Sequence, residues 1–482
     1  MGRRSQRWSN AIPGAQTNGR RFTITTLLEA ARRGKNAGSA AMDANLSPKD
    51  RISQLLRHFG IERAHVAACM TGDWGDLVTT QSDIVASLTL VSPMRGIETP
   101  ESLDTFPVLV ISGDQGKPAE RARKLAARIP DAKLLALRDY SSPIWADVIA
   151  DREEEIGSAM LDFLMDVDRK RGIKAVTLPE EGGDIAGLTY RFRGNGPPLV
   201  LLPVALAPSQ WEPLLPRLAA RYCTITLGGS ALGMVSHLEA RGRSGYGHVV
   251  ERLVDQARLS TGETILDVGC GSGFLDRWLA RRTGGANPIV ATDINRYLLA
   301  EAEALVKKER LEDVITFREG NAEALPFPKA SFDAALAFTV LEEGDADRML
   351  AELVRVTRAG GRVAIMTRAI DMDWWVNLNL PVELQPKINA LGPGTGAGVA
   401  ERGCADASLY RRMSQVGLVQ MTMFPQFAIY SEGERLQAVV DRLLAPLPPN
   451  EVKTCREAIA RADAEGTLFI AEPFHCAVGT KP

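Results

Sequence analysis

Ile265-Leu266-Asp267-Val268-Gly269-Cys270-Gly271-Ser272-Gly273 decides how the rest of the chain is read. Residues 264–268 make a short, mostly apolar strand, and Phe274–Arg282 places apolar residues at helical spacing. Glycines at the joint let the backbone turn sharply and approach a ligand closely, and the helix start offers unpaired N–H groups. Such a turn points to a nucleotide-type ligand. It is not a Walker A loop, which needs a Lys-Ser or Lys-Thr pair. It also misses the dinucleotide pattern, because Phe274 stands where the third glycine of GxGxxG belongs.

Outward from this turn the pattern repeats. Helices are expected at 247–259, 274–282, 296–309 and 346–358, and strands at 264–268, 288–291, 315–319, 332–338 and 362–367. Strands at 418–423 and 467–478 flank a helix at 433–444 and suit an antiparallel sheet edge. Strand alternating with helix argues a mostly parallel sheet. Three more elements fall at strand ends, where open sheets bind ligands. Asp293 closes the second strand, and a carboxylate there can accept both hydroxyl hydrogens of a ribose. Asn321 follows the third strand and can bond an adenine edge. Phe338 to Glu343 follow the fourth.

This ordered set resembles the class I S-adenosylmethionine-dependent methyltransferases of small-molecule type. The likeness rests on the glycine run with Asp267, Asp293, the NAEALPFP stretch (321–328), the SFDAALAF stretch (331–338) and Val354–Arg362, and covers about residues 244–482. It implies a Rossmann-like seven-stranded sheet and S-adenosylmethionine as cofactor. By that resemblance Gly269, Gly271 and Gly273 pack against the methionine part of the donor, which Asp267 orients. Asp293 holds the ribose with Ile294 beside it, Asn321 and Ala322 face the adenine, and Phe338 lines the floor. Tyr246 is expected at the donor's carboxylate.

Methyl transfer from a sulfonium is an in-line displacement, so alignment matters most. A base helps when the acceptor is a hydroxyl or carbon acid, and Glu343 and Asp373 are the candidate acid–base residues. Trp374 and Trp375 beside acids can wall a site for a planar or cationic substrate; core packing is the equal alternative. Glu383 joins them as a substrate-side candidate, the 392–398 loop reads as a lid, and His475 as structural. A small-molecule acceptor leads. The alternatives are RNA methylation using a basic arm, and a non-catalytic interaction protein on a methyltransferase fold.

The first half differs. The stretch from Asp50 through Phe59-Gly60 to His65–Gly72 resembles the helix, strand and nucleophile elbow of an α/β-hydrolase, continued by 88–93, 107–113 and 119–165. Where the elbow should read G-x-S-x-G, this chain has Ala68-Cys69-Met70-Thr71-Gly72. A thioether at the nucleophile position cannot attack an acyl group, and no histidine follows Asp114 near Tyr140–Trp145. Residues 188–229 resemble the start of that same fold, so its later half precedes its earlier half. The two are expected to pack as one rearranged hydrolase-like domain, within a chain or swapped between two.

The expected organisation is a basic flexible arm over 1–41, a degenerate α/β-hydrolase-like region over 42–170, a linker over 171–187, a hydrolase-start-like segment over 188–243 and the methyltransferase over 244–482. In the arm, eight Lys and Arg face one acid, Glu29; a later start at Met42 is an alternative. With 57 Lys and Arg against 59 Asp and Glu, the 482 residues carry no overall basic footprint for nucleic acid. The longest apolar run is too short to span a bilayer. Six cysteines without compact ligand spacing suggest no metal and a reduced, cytoplasmic compartment. A homodimer is an open expectation.

Overall fold

Two successive strand–helix runs build two separate sheets. The computed structural model describes residues 47–69, 83–93, 106–141, 147–180, 182–185, 187–394 and 399–482. The expected basic arm, the Met70–Gly72 part of the elbow and residues 395–398 of the expected lid lie outside the described residues.

The first sheet contains β1 (Ala64–Ala68), β2 (Val85–Val91), β3 (Val108–Gln115), β4 (Lys133–Ser141), β5 (Gly182–Ile185), β6 (Leu188–Arg193), β7 (Pro198–Leu201) and β8 (Cys223–Gly228). Their lateral order is β4-β3-β2-β1-β7-β8-β6-β5. β1, β2 and β7 are buried along their whole length, as apolar parallel strands covered on both faces must be. Ile52, Leu55 and Leu56 of the helix Pro48–His58 pack on one face; α1 (Glu153–Arg171) covers the other with Met160, Phe163 and Leu164.

The seam of this sheet is β1 against β7, parallel, with Val66 opposite Val200. It joins residues 64–141 to residues 182–228 within a single chain. The stretch expected as a linker is not a free tether: β5 lies in it and pairs antiparallel with β6, and Val176–Thr177 pairs with Asn195–Gly196. Gly183 can lie flat there because a Cβ would stand 2.6 Å from the Tyr190 hydroxyl.

Under α1 is a buried polar row. His65 Nδ1 is 2.7 Å from Ser87 Oγ, His65 Nε2 is 3.0 Å from Asp168 Oδ1, and the Tyr222 hydroxyl donates to Asp168 Oδ2 at 2.8 Å. Burial and the Asp168 charge push the Tyr222 phenol well above its ordinary value. Ser, His and Asp stand in line, yet Ser87 is wholly buried in mid-strand, so no acyl group can reach it. The row satisfies polar groups that would be costly if left alone. Replacing His65 with Ala strands both neighbours and opens a cavity. Urea unfolding is expected to show a loss of about 2 kcal/mol or more.

The second sheet contains β9 (Ile265–Val268), β10 (Ile289–Asp293), β11 (Ile315–Glu319), β12 (Phe332–Phe338), β13 (Thr357–Arg368), β14 (Trp375–Val376), β15 (Val419–Met423), β16 (Gln426–Tyr430) and β17 (Ile470–Thr480). Its order is β11-β10-β9-β12-β13-β17, the first five parallel and β17 antiparallel. β14 continues on the β13 side of β17, while β15 and β16 share the opposite side. Nine segments therefore occupy seven lateral places. The order reverses between β9 and β12, the switch point at which open α/β sheets bind ligands beyond their carboxyl ends.

Between the sheets, residues 228–247 read as turn-like but contain α2 (Gly233–Gly242), followed by α3 (Gly245–Ala257). After β9 comes α4 (Phe274–Arg282), and after β10 comes α5 (Arg296–Glu309). The first unit rests on α5: Leu206, Val235 and Leu298 form one cluster, Lys308 meets Asp184 at 3.0 Å, and Tyr297 bonds Asp147.

Candidate functional site

The glycine turn after β9 is held from β10. Gly269 and Cys270 both donate to the Thr292 carbonyl, at 2.7 and 3.1 Å. Gly271 N–H donates to Asp293 Oδ2 at 2.9 Å, and Asn295 N–H to Oδ1 at 2.8 Å. Gly269 has φ +77° and Gly271 φ +57°; a Cβ would stand 2.3 Å from Val340 at the first and 2.9 Å from Leu238 at the second. Asp293 does not cap α5, since Asn295 does so by accepting from Tyr297 and Leu298 N–H. Beyond the turn opens a cleft of about 590 Å³, within the size range of small-ligand sites.

The structure brings most of the expected donor residues to this cleft. Tyr246, Asp267, Gly269, Gly271, Asp293, Ile294, Asn321, Ala322 and Phe338 all line it. Gly273 is not in the lining; its neighbours are Ala302 and Phe317 beneath. Asn321 Oδ1 accepts the Glu323 N–H at 2.8 Å and so shapes its own turn, which turns the amide toward donating. Ile294 is 63% exposed at the rim.

The electrostatics are set by burial. Asp267, on β9, and Asp276, on α4, are both buried and face each other. Burial and the neighbouring Asp276 charge raise the Asp267 carboxyl well above the usual range, and burial raises Asp276 too. Asp293 is also raised by burial. Arg277, adjacent to Asp276, is committed elsewhere: its Nη2 reaches both Glu239 oxygens at 2.8 Å, and its Nε reaches Glu309. Glu239 also accepts from Ser272 Oγ at 2.9 Å. A buried ion pair thus clamps α2 onto the glycine turn.

Two glutamates follow β12. Glu343 lines the cleft at its exposed edge. Glu342 is fully buried; its Oε1 accepts the Arg368 N–H at 2.8 Å and its Oε2 has no partner. Burial pushes the Glu342 carboxyl up to about 7. In the unfolded chain it titrates near about 4.3. Its contribution to stability is therefore full below about pH 4 and is lost as the pH rises through about 7. Glu342→Gln, always neutral, is expected to lose less melting temperature than the wild type between pH 5 and pH 8, measured by calorimetry.

The substrate-side expectations fare differently. Trp374 is buried in the core and Trp375 is 59% exposed with its edge against Phe469. One ring lies in the core and the other, which opens β14, faces solvent, so the pair does not form one wall. Neither lines the cleft, nor do Glu383 and Asp373, both exposed. His475 is held between Asp371 at 2.7 Å and the Tyr410 hydroxyl at 2.9 Å, on the far side of the sheet from Tyr246. Sequence reading missed Leu238, Arg241, Arg368 and Glu472, all in the lining. The available signal was Val235, Leu238 and Glu239 at helical spacing within the glycine-flanked α2.

Residues 266–365 match the family described as Methyltransferase domain. This stretch is a methyltransferase domain. S-adenosylmethionine is its cofactor, and the floor fits such a ligand: Asp267 Oδ1 is buried without a partner, and the glycines leave a cradle that any Cβ would narrow. The methyltransferase GfsG of Streptomyces halstedii is 37% identical over 24% of this chain and 42% of its own length. The ubiquinone/menaquinone biosynthesis C-methyltransferase UbiE of Hahella chejuensis is 35% identical over 23% of this chain and 46% of its own. The chain thus spans less than half the length of these curated relatives. Among solved structures, a geranyl diphosphate methyltransferase in complex with S-adenosylmethionine aligns at TM-score 0.31 and 19% identity, over 48% of this chain and 84% of that one. Among the described residues, no helix is long and apolar enough to cross a membrane.

Gly271→Ala is expected to keep the fold and weaken S-adenosylhomocysteine binding at least about tenfold. The new methyl must move Leu238 and sits at a positive φ. Titration calorimetry checks this.

Proposed function

We propose that the chain transfers a methyl group from S-adenosylmethionine to a carbon of a small-molecule acceptor. The observation that carries the reading is the Gly269–Gly273 turn with Asp293 bonded across it at the switch point. Each Asp293 oxygen already takes one backbone N–H and keeps a lone pair for one ribose hydroxyl. Asn321 Nδ2 would donate to the adenine edge, and Ile294 would cover its face. Asp267 would take the amino group of the methionine portion. When bound, the donor supplies a methyl group activated on sulfonium sulfur. The protein's task is then alignment and exclusion of water, with Phe338 and the α2 residues closing the cleft.

The small-molecule acceptor is supported by the cleft's size and by the relatives UbiE and GfsG, the former named a C-methyltransferase of ubiquinone/menaquinone biosynthesis. Forming a carbon nucleophile requires removal of a proton. Glu343, at the exposed edge of the cleft, is the residue we assign to it. The first unit we read as a hydrolase-like scaffold without hydrolase chemistry. Support comes from the single sheet that unites the two stretches resembling that fold's end and beginning, and from the burial of Ser87.

Calorimetry with the full chain is expected to show binding of S-adenosylmethionine and S-adenosylhomocysteine, weakened at least about tenfold, or about 1.4 kcal/mol, by Asp293→Ala. No heat with either ligand on folded protein would overturn the reading. Glu343→Gln is expected to lower kcat by about a hundredfold or more with donor affinity unchanged; an equal kcat would remove Glu343 from the role.

A further inference from the structure

The donor reading accounts for residues at or just past the ends of β9, β10 and β11, where Asp267, Asp293 and Asn321 stand. The cleft runs on beyond them. Arg368 lines it and is the last residue of β13. That strand lies two lateral places from β9, about 10 Å at the usual strand spacing. Arg368 stands opposite Phe474 of β17, whose ring packs on Tyr246 at 5.6 Å. Opposed residues of paired strands share a face, so the Arg368 stem rises on the Tyr246 side of the sheet.

Arg368 is anchored at its base and uncommitted at its tip. Its backbone N–H donates to Glu342 Oε1 at 2.8 Å, and its Nε lies 3.6 Å from the same oxygen, too far for a hydrogen bond. Among the described residues its guanidinium makes no hydrogen bond, although the side chain is only 21% exposed. Structural arginines of this chain behave otherwise. Arg277 spends its fork on Glu309, the Ser272 carbonyl and Glu239, and Arg355 on Glu352 and the Phe327 and Leu325 carbonyls. The anchor of Arg368 is itself rigid: Ala400 N–H donates to the Glu342 carbonyl at 2.7 Å, and Cys404 N–H to the Leu341 carbonyl at 2.9 Å. Glu343, the base assigned above, is the next residue on that braced segment.

A planar fork with uncommitted N–H donors in a partly closed cleft suits an oxygen that bears negative charge. A carbon acid develops that charge when it ionises. The C–H bond breaks, the proton passes to the Glu343 carboxylate, and the electron pair spreads onto a conjugated oxygen. The carbon then attacks the donor's methyl group; a C–C bond forms, the C–S bond breaks, and its electron pair stays on sulfur. We propose that Arg368 holds the conjugated oxygen, so that the acceptor is an enolisable carbonyl or phenolic compound whose reacting carbon is conjugated with an acidic oxygen. This rests on the carbon-acceptor reading above and names its substrate class. Arg368 selects the enolate in the ground state and stabilises the charge as it forms.

The test loads the full chain with S-adenosylhomocysteine and compares two probes, cyclohexane-1,3-dione, an enolate at neutral pH, and cyclohexanone, which is not. Titration calorimetry is expected to show the dione bound at least about tenfold tighter than the ketone, with the ultraviolet spectrum of the enolate. Arg368→Gln is expected to remove that preference and leave S-adenosylhomocysteine affinity unchanged, which reports that the cleft is still folded. Arg368→Lys should restore only part of it, because an ammonium keeps the charge without the planar fork. Failure of the dione to bind, equal binding of both probes, or a preference that survives Arg368→Gln would overturn the proposal. Failure of S-adenosylhomocysteine to bind the wild type would overturn the donor reading and the proposal with it. After turnover with S-adenosylmethionine, a methyl on the dione oxygen instead of the carbon between the carbonyls would overturn the carbon-acceptor reading alone.

Discussion

The bond from Gly271 N–H to the Asp293 carboxylate holds the site in shape. It crosses from the turn after β9 to the tip of β10, so the two strands cannot splay without stranding a buried acid. The turn can adopt that geometry only without side chains at Gly269 and Gly271, where Val340 and Leu238 already fill the space. Everything the cleft can do follows from this: a carboxylate is fixed in orientation, and burial raises the Asp267 and Asp276 carboxyls on the floor above their usual range.

The rest of the chain is arranged around that constraint. Burying Arg277 costs several kcal/mol in solvation unless its hydrogen bonds are met, and Glu239, Glu309 and the Ser272 carbonyl meet them. Because Glu239 belongs to α2, the same ion pair that neutralises Arg277 also seats that helix over the glycine turn. The first unit is tied to α5, just beyond Asp293. Its ion pairs and hydrogen bonds to Arg296, Tyr297 and Lys308 all fall on the helix that follows Asp293.

What could be read from the residues in order was local. The β9 turn, Asp293 and the alternating elements from 264 to 367 follow from glycine placement and from periodicity, both properties of short windows. α2 was hidden because Gly233, Gly242, Gly245 and Gly247 read as turn signals, while the contacts that hold the helix reach Gly271, Ser272 and Arg277 some thirty residues on. Trp374 and Trp375 misled because adjacency in sequence suggests one surface, whereas Trp374 is buried in the core and Trp375 faces solvent. The Tyr410–His475–Asp371 row joins residues up to 104 positions apart, and Glu342 next to Glu343 differs from it only in burial, which no window of sequence contains.

The β1–β7 seam bears on how the chain can be divided. Neither half of the first sheet can be excised as a self-sufficient piece. Removing the earlier residues would bare β7, whose Leu199 and Leu201 would sit on an unprotected edge able to recruit strands from other molecules. The seam makes the earlier stretch the cover of an otherwise open sheet edge, whatever either half contributes to chemistry.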